Sequence, residues 1–163
     1  MKLSEIELTD INHFIGMEYY YLMLNRTFLI IRLEDYLIGV QGNGIVSVEG
    51  GSDILSKRVN ALMAIKGDLT NPNSYLKNSY LSKVYDLDLS NKSVLNINKA
   101  NFKIKLSDIK EVHYNPNKKF GMGPYPHDGR VTIKTNDNRK REFIILGNQS
   151  GQKIANWIVI NTI

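Results

Sequence analysis

Apolar and polar positions alternate most clearly between residues 102 and 146. Phe102, Ile104 and Leu106 alternate with Lys103 and Lys105, the period-two pattern of a strand with one wet face. Val112 to Tyr114 resumes it after a turn at Ser107-Asp108, and Val131 and Ile133 continue it beyond a long loop. Asn136-Asp137-Asn138 supplies turn chemistry, and Phe143 to Leu146 forms the next strand. After Gly147-Asn148, Ile154, Trp157 and Ile158 fall on one side of a closing helix spanning Gln149 to Ile160.

The first half reads differently. Leu3, Ile6, Ile11, Phe14 and Ile15 recur at loose helical spacing, with Ser4 and Glu7 as a capping box. Met17 to Leu24, Thr27 to Leu33, Tyr36 to Gln41 and Ile45 to Glu49 are aromatic and β-branched runs separated by turn residues, which predicts a four-strand meander. Phe28 and Ile30 lie on one parity and Leu29 and Ile31 on the other, so this sheet needs cover on both faces. The segment Ser52 to Tyr85 is expected to supply it as an inserted helical pair. Leu55, Val59, Leu62 and Met63 form one stripe, and Leu76, Tyr80, Leu81 and Val84 form a second behind an Asn71-Pro72 start. Leu62 and Tyr80 are expected to pack on the meander. Val94 to Ile97 is expected to be a further strand.

With 163 residues, 42% hydrophobic and 23% charged, the chain is long enough for one domain with a core of its own. The lack of cysteine excludes disulfides, thiolate nucleophiles and cysteine-ligated metals, and suits a reducing compartment. The most apolar run, Phe28 to Ile31, is far short of the ~20 residues of a membrane helix, and the acid-bearing N-terminus is unlike a secretory leader. A soluble cytoplasmic protein without a transmembrane segment is expected. The net charge of +5 is uneven: Lys99 to Arg141 holds eleven Lys/Arg against four Asp/Glu, a net +7, and the rest carries −2. That asymmetry points to an anionic partner or a solvated face.

The run Phe102-Lys-Ile-Lys-Leu106, then Ser107-Asp-Ile-Lys-Glu-Val112, Arg130-Val-Thr-Ile-Lys134, Arg141-Glu-Phe-Ile-Ile-Leu146 and the Gln149 to Ile160 helix resembles the last half of a bacterial pleckstrin-homology-like (PH-like) domain. The resemblance implies an α+β fold, mainly an antiparallel β barrel or sandwich with a C-terminal capping helix, in a single domain over 1–163. The helical insertion at about 52–86 departs from the simple seven-strand form. The resemblance further implies a noncatalytic binding or scaffolding module, and it fixes no ligand and no cofactor.

No nucleophile–base pair, dinucleotide fingerprint or Walker loop occurs, so no enzyme is expected. His113, His127 and Asp128, with His13 the only other histidine, are too few and too scattered to read as a metal or acid–base cluster. Gly50-Gly51-Ser52 before a helix could hold an anion, but a plain connection explains it better. The loop from Asn115 to Gly129 holds three of the four prolines and is longer than most structureless connections. The candidate contacts are therefore Lys118, Lys119, Arg130 and Lys134 for an anion, with Phe120 and Tyr125 as apolar anchors. The expected partner is a protein or an anionic ligand. Nucleic acid is the alternative, because basic strands interleaved with Tyr114, Phe120 and Tyr125 could track a backbone and stack bases.

Overall fold

The computed structural model describes residues 1–21, 24–46 and 64–159. Seven strands form one antiparallel sheet in the order β4-β3-β2-β1-β7-β6-β5. They are β1 (His13–Tyr21), β2 (Leu24–Arg32), β3 (Tyr36–Asn43), β4 (Phe102–Lys105), β5 (Ile109–Asn115), β6 (His127–Thr135) and β7 (Lys140–Leu146). The helices are short: α1 (Asn78–Leu81), α2 (Ser93–Ile97) and α3 (Gly151–Val159), with 3-10 turns at Leu3–Glu5, Pro72–Tyr75 and Leu106–Asp108. The architecture is α+β and mainly antiparallel β, as the alternation implies.

Both faces of the sheet are apolar. On the helix face Phe14, Phe28, Ile30, Phe102, Val131, Ile133, Phe143 and Ile145 pack beneath Ile154, Trp157 and Ile158 of α3. Phe143 stands at the centre, with ring centroids 5.9, 6.1 and 5.8 Å from Phe14, Phe28 and Phe102. On the loop face Ile15, Met17, Leu29, Ile31, Ile38, Val40, Ile144 and Leu146 lie under Tyr75, Val84, Leu89, Val94, Met122 and Tyr125. The two parities of β1 to β3 thus feed two separate clusters.

The β1–β7 pairing that joins the two halves is brief, Gly16↔Ile145 and Met17↔Ile144. Gln149 extends it with its side chain. Its amide donates to the carbonyls of Ile15 and Leu146 at 2.7 Å and accepts from the Ile15 N–H at 2.8 Å. Asp128 then fixes α3, accepting the Gly151 N–H at 2.8 Å through one oxygen and the Tyr114 hydroxyl at 2.7 Å through the other. At Gly39 the ring of Phe102 occupies the space a Cβ would take, so a side chain there would expel it.

Several expectations are corrected. Phe14 and Ile15 belong to β1, and the N-terminal helix shrinks to Leu3–Glu5, where the Glu5 carboxylate accepts the Lys2 N–H at 2.9 Å. The fourth meander strand at Ile45 to Glu49 does not continue the sheet at Ile45-Val46. The Asn25 amide instead binds both N–H and C=O of Val46 at 2.9 Å, and the place beside β3 goes to β4. Ser47 to Glu49, Gly50-Gly51-Ser52 and the stripe Leu55, Val59, Leu62 and Met63 lie outside the described residues. The second helix of the expected pair is two helical turns separated by extended Leu76 and Lys77. Asn71 starts the first turn as foreseen, accepting the Asn73 N–H at 3.0 Å. Tyr80 does reach the meander, its hydroxyl lying against Gly44. Val94 to Ile97 is helical because Asn side chains close it locally. Asn91 and Asn98 accept the N–H groups of Ser93 and Ala100, and Asn101 donates to the Val94 carbonyl at 2.8 Å.

Candidate functional site

A cleft of about 750 Å³ opens between β4 and the β6–β7 hairpin. One wall is β4 itself, all four of whose residues border the space. The other wall is Ile133, Thr135, the turn residues Asn136 and Asp137, and the run Arg139-Lys140-Arg141. The hairpin is held at a set distance from β4. Asn136 donates its backbone N–H to the Asp108 carbonyl at 2.9 Å and its side-chain amide to the Ser107 carbonyl at 3.3 Å. The other end is fixed by Asn101, which accepts the Gln41 N–H at 2.8 Å.

The turn forms because Asp137 satisfies its own backbone. It accepts the Thr135 hydroxyl and the Arg139 N–H, and Asn138 takes the left-handed conformation (φ 63°) that asparagine tolerates. The Thr135 hydrogen bond, followed by that of the Arg139 N–H, holds the Asp137 carboxyl below its ordinary range. Its second oxygen meets the Arg139 Nε at 2.6 Å, so Arg139 stands beside one fixed anion.

Arg141 is the cation most deeply set in the cleft. Its guanidinium lies 3.8 Å from the ring centroid of Phe102 and 5.5 Å from that of Phe28. Its neighbouring acid is Glu18, 3.6 Å away, but Glu18 is already held by Arg26, whose Nε and Nη2 lie 3.0 and 2.9 Å from the same oxygen. Two guanidiniums therefore share one buried carboxylate, and a net positive charge remains at the edge of the core. Burial pushes the Arg141 pKa down, Glu18 opposes that shift, and Arg26 and Arg139 reinforce it. Arginine remains charged at neutral pH regardless. Lys105 is exposed at the far end of β4. Lys103 contributes only its stem, because its ammonium donates to the Ser90 carbonyl at 2.6 Å and lies over Tyr36.

The residues singled out from sequence do not come together as one surface. Tyr125 is 6% exposed and packs edge-on against Tyr75 at 5.8 Å, so it is a core residue and not a surface anchor. The loop places it there by folding back over the sheet, burying Met122 as well. Phe120 is 99% exposed at the loop tip, and Lys118 is exposed beside it. The Lys119 backbone donates to His127 Nε2 at 3.0 Å, and its ammonium lies 5.7 Å from the Tyr19 ring. Arg130 and Lys134 do share a face of β6, in register with Ile144 and Lys140 of β7. There Glu142 faces both Arg130, at 3.5 Å, and Lys140, at 3.8 Å, which offsets the charge of that face.

The residues missed were Phe102, Lys105, Arg139 and Arg141. The Arg139-Lys140-Arg141 run was visible, but its approach to β4 depends on pairings between strands far apart in sequence. Among the described residues no three His, Asp or Glu side chains converge as metal ligands, and no helix is long and apolar enough to cross a membrane. No family model, curated protein or solved structure matches the chain.

Proposed function

We propose that this chain is a noncatalytic binding module of the PH-like kind, and that its working surface is the basic cleft between β4 and the β6–β7 hairpin. The observation that carries the reading is Arg141, stacked on Phe102 inside the cleft with half a carboxylate for a partner. A cation so placed is poised for a charge-assisted contact with a ligand anion. The strand order, with a C-terminal helix over one face, agrees with the PH-like resemblance. A cytoplasmic setting belongs to the same reading and rests on the cysteine-free composition. The nucleic-acid alternative has less support. Of the aromatics it would use, Tyr125 is buried and the Tyr114 hydroxyl is bound to Asp128, which leaves Phe120 as the one freely exposed ring.

The test is a titration with inorganic triphosphate at low and at physiological salt. Wild type should bind, more weakly at the higher salt. The double variant Arg139→Gln, Arg141→Gln should lose about tenfold or more in affinity, the scale of one or two charge-assisted hydrogen bonds. It should still fold, because Glu18 keeps Arg26 as its partner. Equal binding by both proteins would remove the cleft from consideration.

A further inference from the structure

Side chains on a strand alternate between faces, so a cleft over one face touches every second residue. The cleft here touches four consecutive ones. Phe102 and Ile104 belong to the helix-face cluster, whereas Lys103 turns the other way, over Tyr36. A space bordered by both parities lies along the edge of the strand, not over a face. β4 pairs with β3 on one side, and among the described residues no strand pairs with its other side. An edge strand presents free backbone donors and acceptors in a row.

We propose that the ligand of this cleft is an extended acidic peptide segment of a partner protein, added to β4 as a further antiparallel or parallel strand. The inference rests on the anion-binding reading above and names its ligand class. Four residues of strand span about 13 Å, a length that suits a peptide better than a compact anion. The cations of the facing wall, Arg139 at the turn and Arg141 on β7, are spaced along the hairpin and do not ring a single point, while Lys140 borders the cleft but turns its ammonium toward Glu142. Leu95, Ile104 and Ile133 add apolar lining. A strand with alternating apolar and acidic side chains meets all three features at once. Main-chain hydrogen bonds to β4 supply affinity, and the charged wall selects the sequence.

The experiment is selection from a displayed library of random peptides about eight residues long, enough to overrun both ends of β4, on immobilised full-length protein. Enriched sequences should alternate Asp or Glu with apolar residues, and Arg139→Gln, Arg141→Gln should lose them by about tenfold or more. N-methylating alternate backbone amides of a selected peptide should weaken binding strongly in one register and little in the other, as expected of a strand paired along one edge. Those amides of Phe102 to Lys105 that point away from β3 should gain protection from hydrogen exchange on binding. A library that yields nothing dependent on the two arginines, or a peptide indifferent to N-methylation in both registers, overturns the proposal. So does Arg141-dependent capture of phosphatidylserine-containing vesicles without peptide enrichment, which would assign the cleft to a membrane surface. Triphosphate binding separates the two levels. If it persists in wild type and fails in the double variant while no peptide emerges, the cleft still binds anions and the peptide assignment alone is lost.

Discussion

The helix face and the loop face of the sheet bury comparable sets of side chains by different means. The helix face is closed by α3, whose Ile154, Trp157 and Ile158 come from a regular element anchored at its start by Gln149 and Asp128. The loop face is closed by pieces with little regular structure: Leu3, Tyr75, Val84, Leu89 and Val94, and Met122 and Tyr125 from the β5–β6 loop. Those segments satisfy their backbones through Asn and Asp side chains, as at Asn71, Asp88, Asn91 and Asn98. The difference teaches that apolar side chains can cover a sheet without a helix, provided local polar groups take over the hydrogen bonds a helix would make. The loop face also ends before the helix face does. Over β5 and β6 the outer side carries Glu111, His113, Thr132 and Lys134 instead.

The sharpest way to break the comparison is at its rigid side. Phe143→Ala and Trp157→Ala should each destabilise by about 3–5 kcal/mol, the range for a buried aromatic, measured by urea unfolding. A loss under about 1 kcal/mol for Trp157 would mean that α3 does not close this face. On the loop face, Met122→Ala should cost about 2–3 kcal/mol, at the low end for methionine because an irregular loop can settle into the space. A negligible change would show the β5–β6 loop to be an exposed connection after all.

Tyr75 sharpens the comparison through pH. Its fully buried phenol donates to the Leu69 carbonyl at 3.1 Å, and burial, with Tyr125 and Asp68 nearby, pushes its pKa from 10.0 up to about 12. In the unfolded chain it ionises near 10, so its stabilising contribution is complete below that pH and is lost as pH rises toward about 12. Tyr75→Phe should cost about 1 kcal/mol at neutral pH and should lose less stability than wild type over the alkaline window. Parallel declines would place the phenol in contact with water. The smallest effect belongs to the wet face of β6, where Thr132→Val should change stability by no more than about 0.5 kcal/mol. A larger change would mean that something covers that face.

How much of this was legible follows from the range over which each feature is determined. The alternation of Val131 and Ile133 with Arg130, Thr132 and Lys134 identified both faces of β6, because a strand's period is local. The turn at Asn136-Asp137-Asn138, the closing helix with Trp157 inward, and the need for cover on both sides of β2 were legible for the same reason. Val94 to Ile97 misled because its β-branched and apolar residues outweighed the flanking asparagines that bend it into a helical turn. Tyr125 misled because a loop rich in Pro and Gly reads as solvated, although this one folds back on the sheet. The cleft was not legible at all. It needs β4 at one end of the sheet to meet the β6–β7 hairpin near the other, and no local pattern encodes that approach.

The central claim concerns where an anion lands, and backbone amide shifts during a triphosphate titration test it most directly. The account predicts perturbations concentrated at Phe102 to Lys105 and at Asn136 to Arg141, with Lys118, Lys119 and Lys134 little changed. The same pattern should be absent in Arg139→Gln, Arg141→Gln. Perturbations centred on residues 116–126 and on the outer face of β6, unaffected by that double variant, would contradict it and return the working surface to the loop.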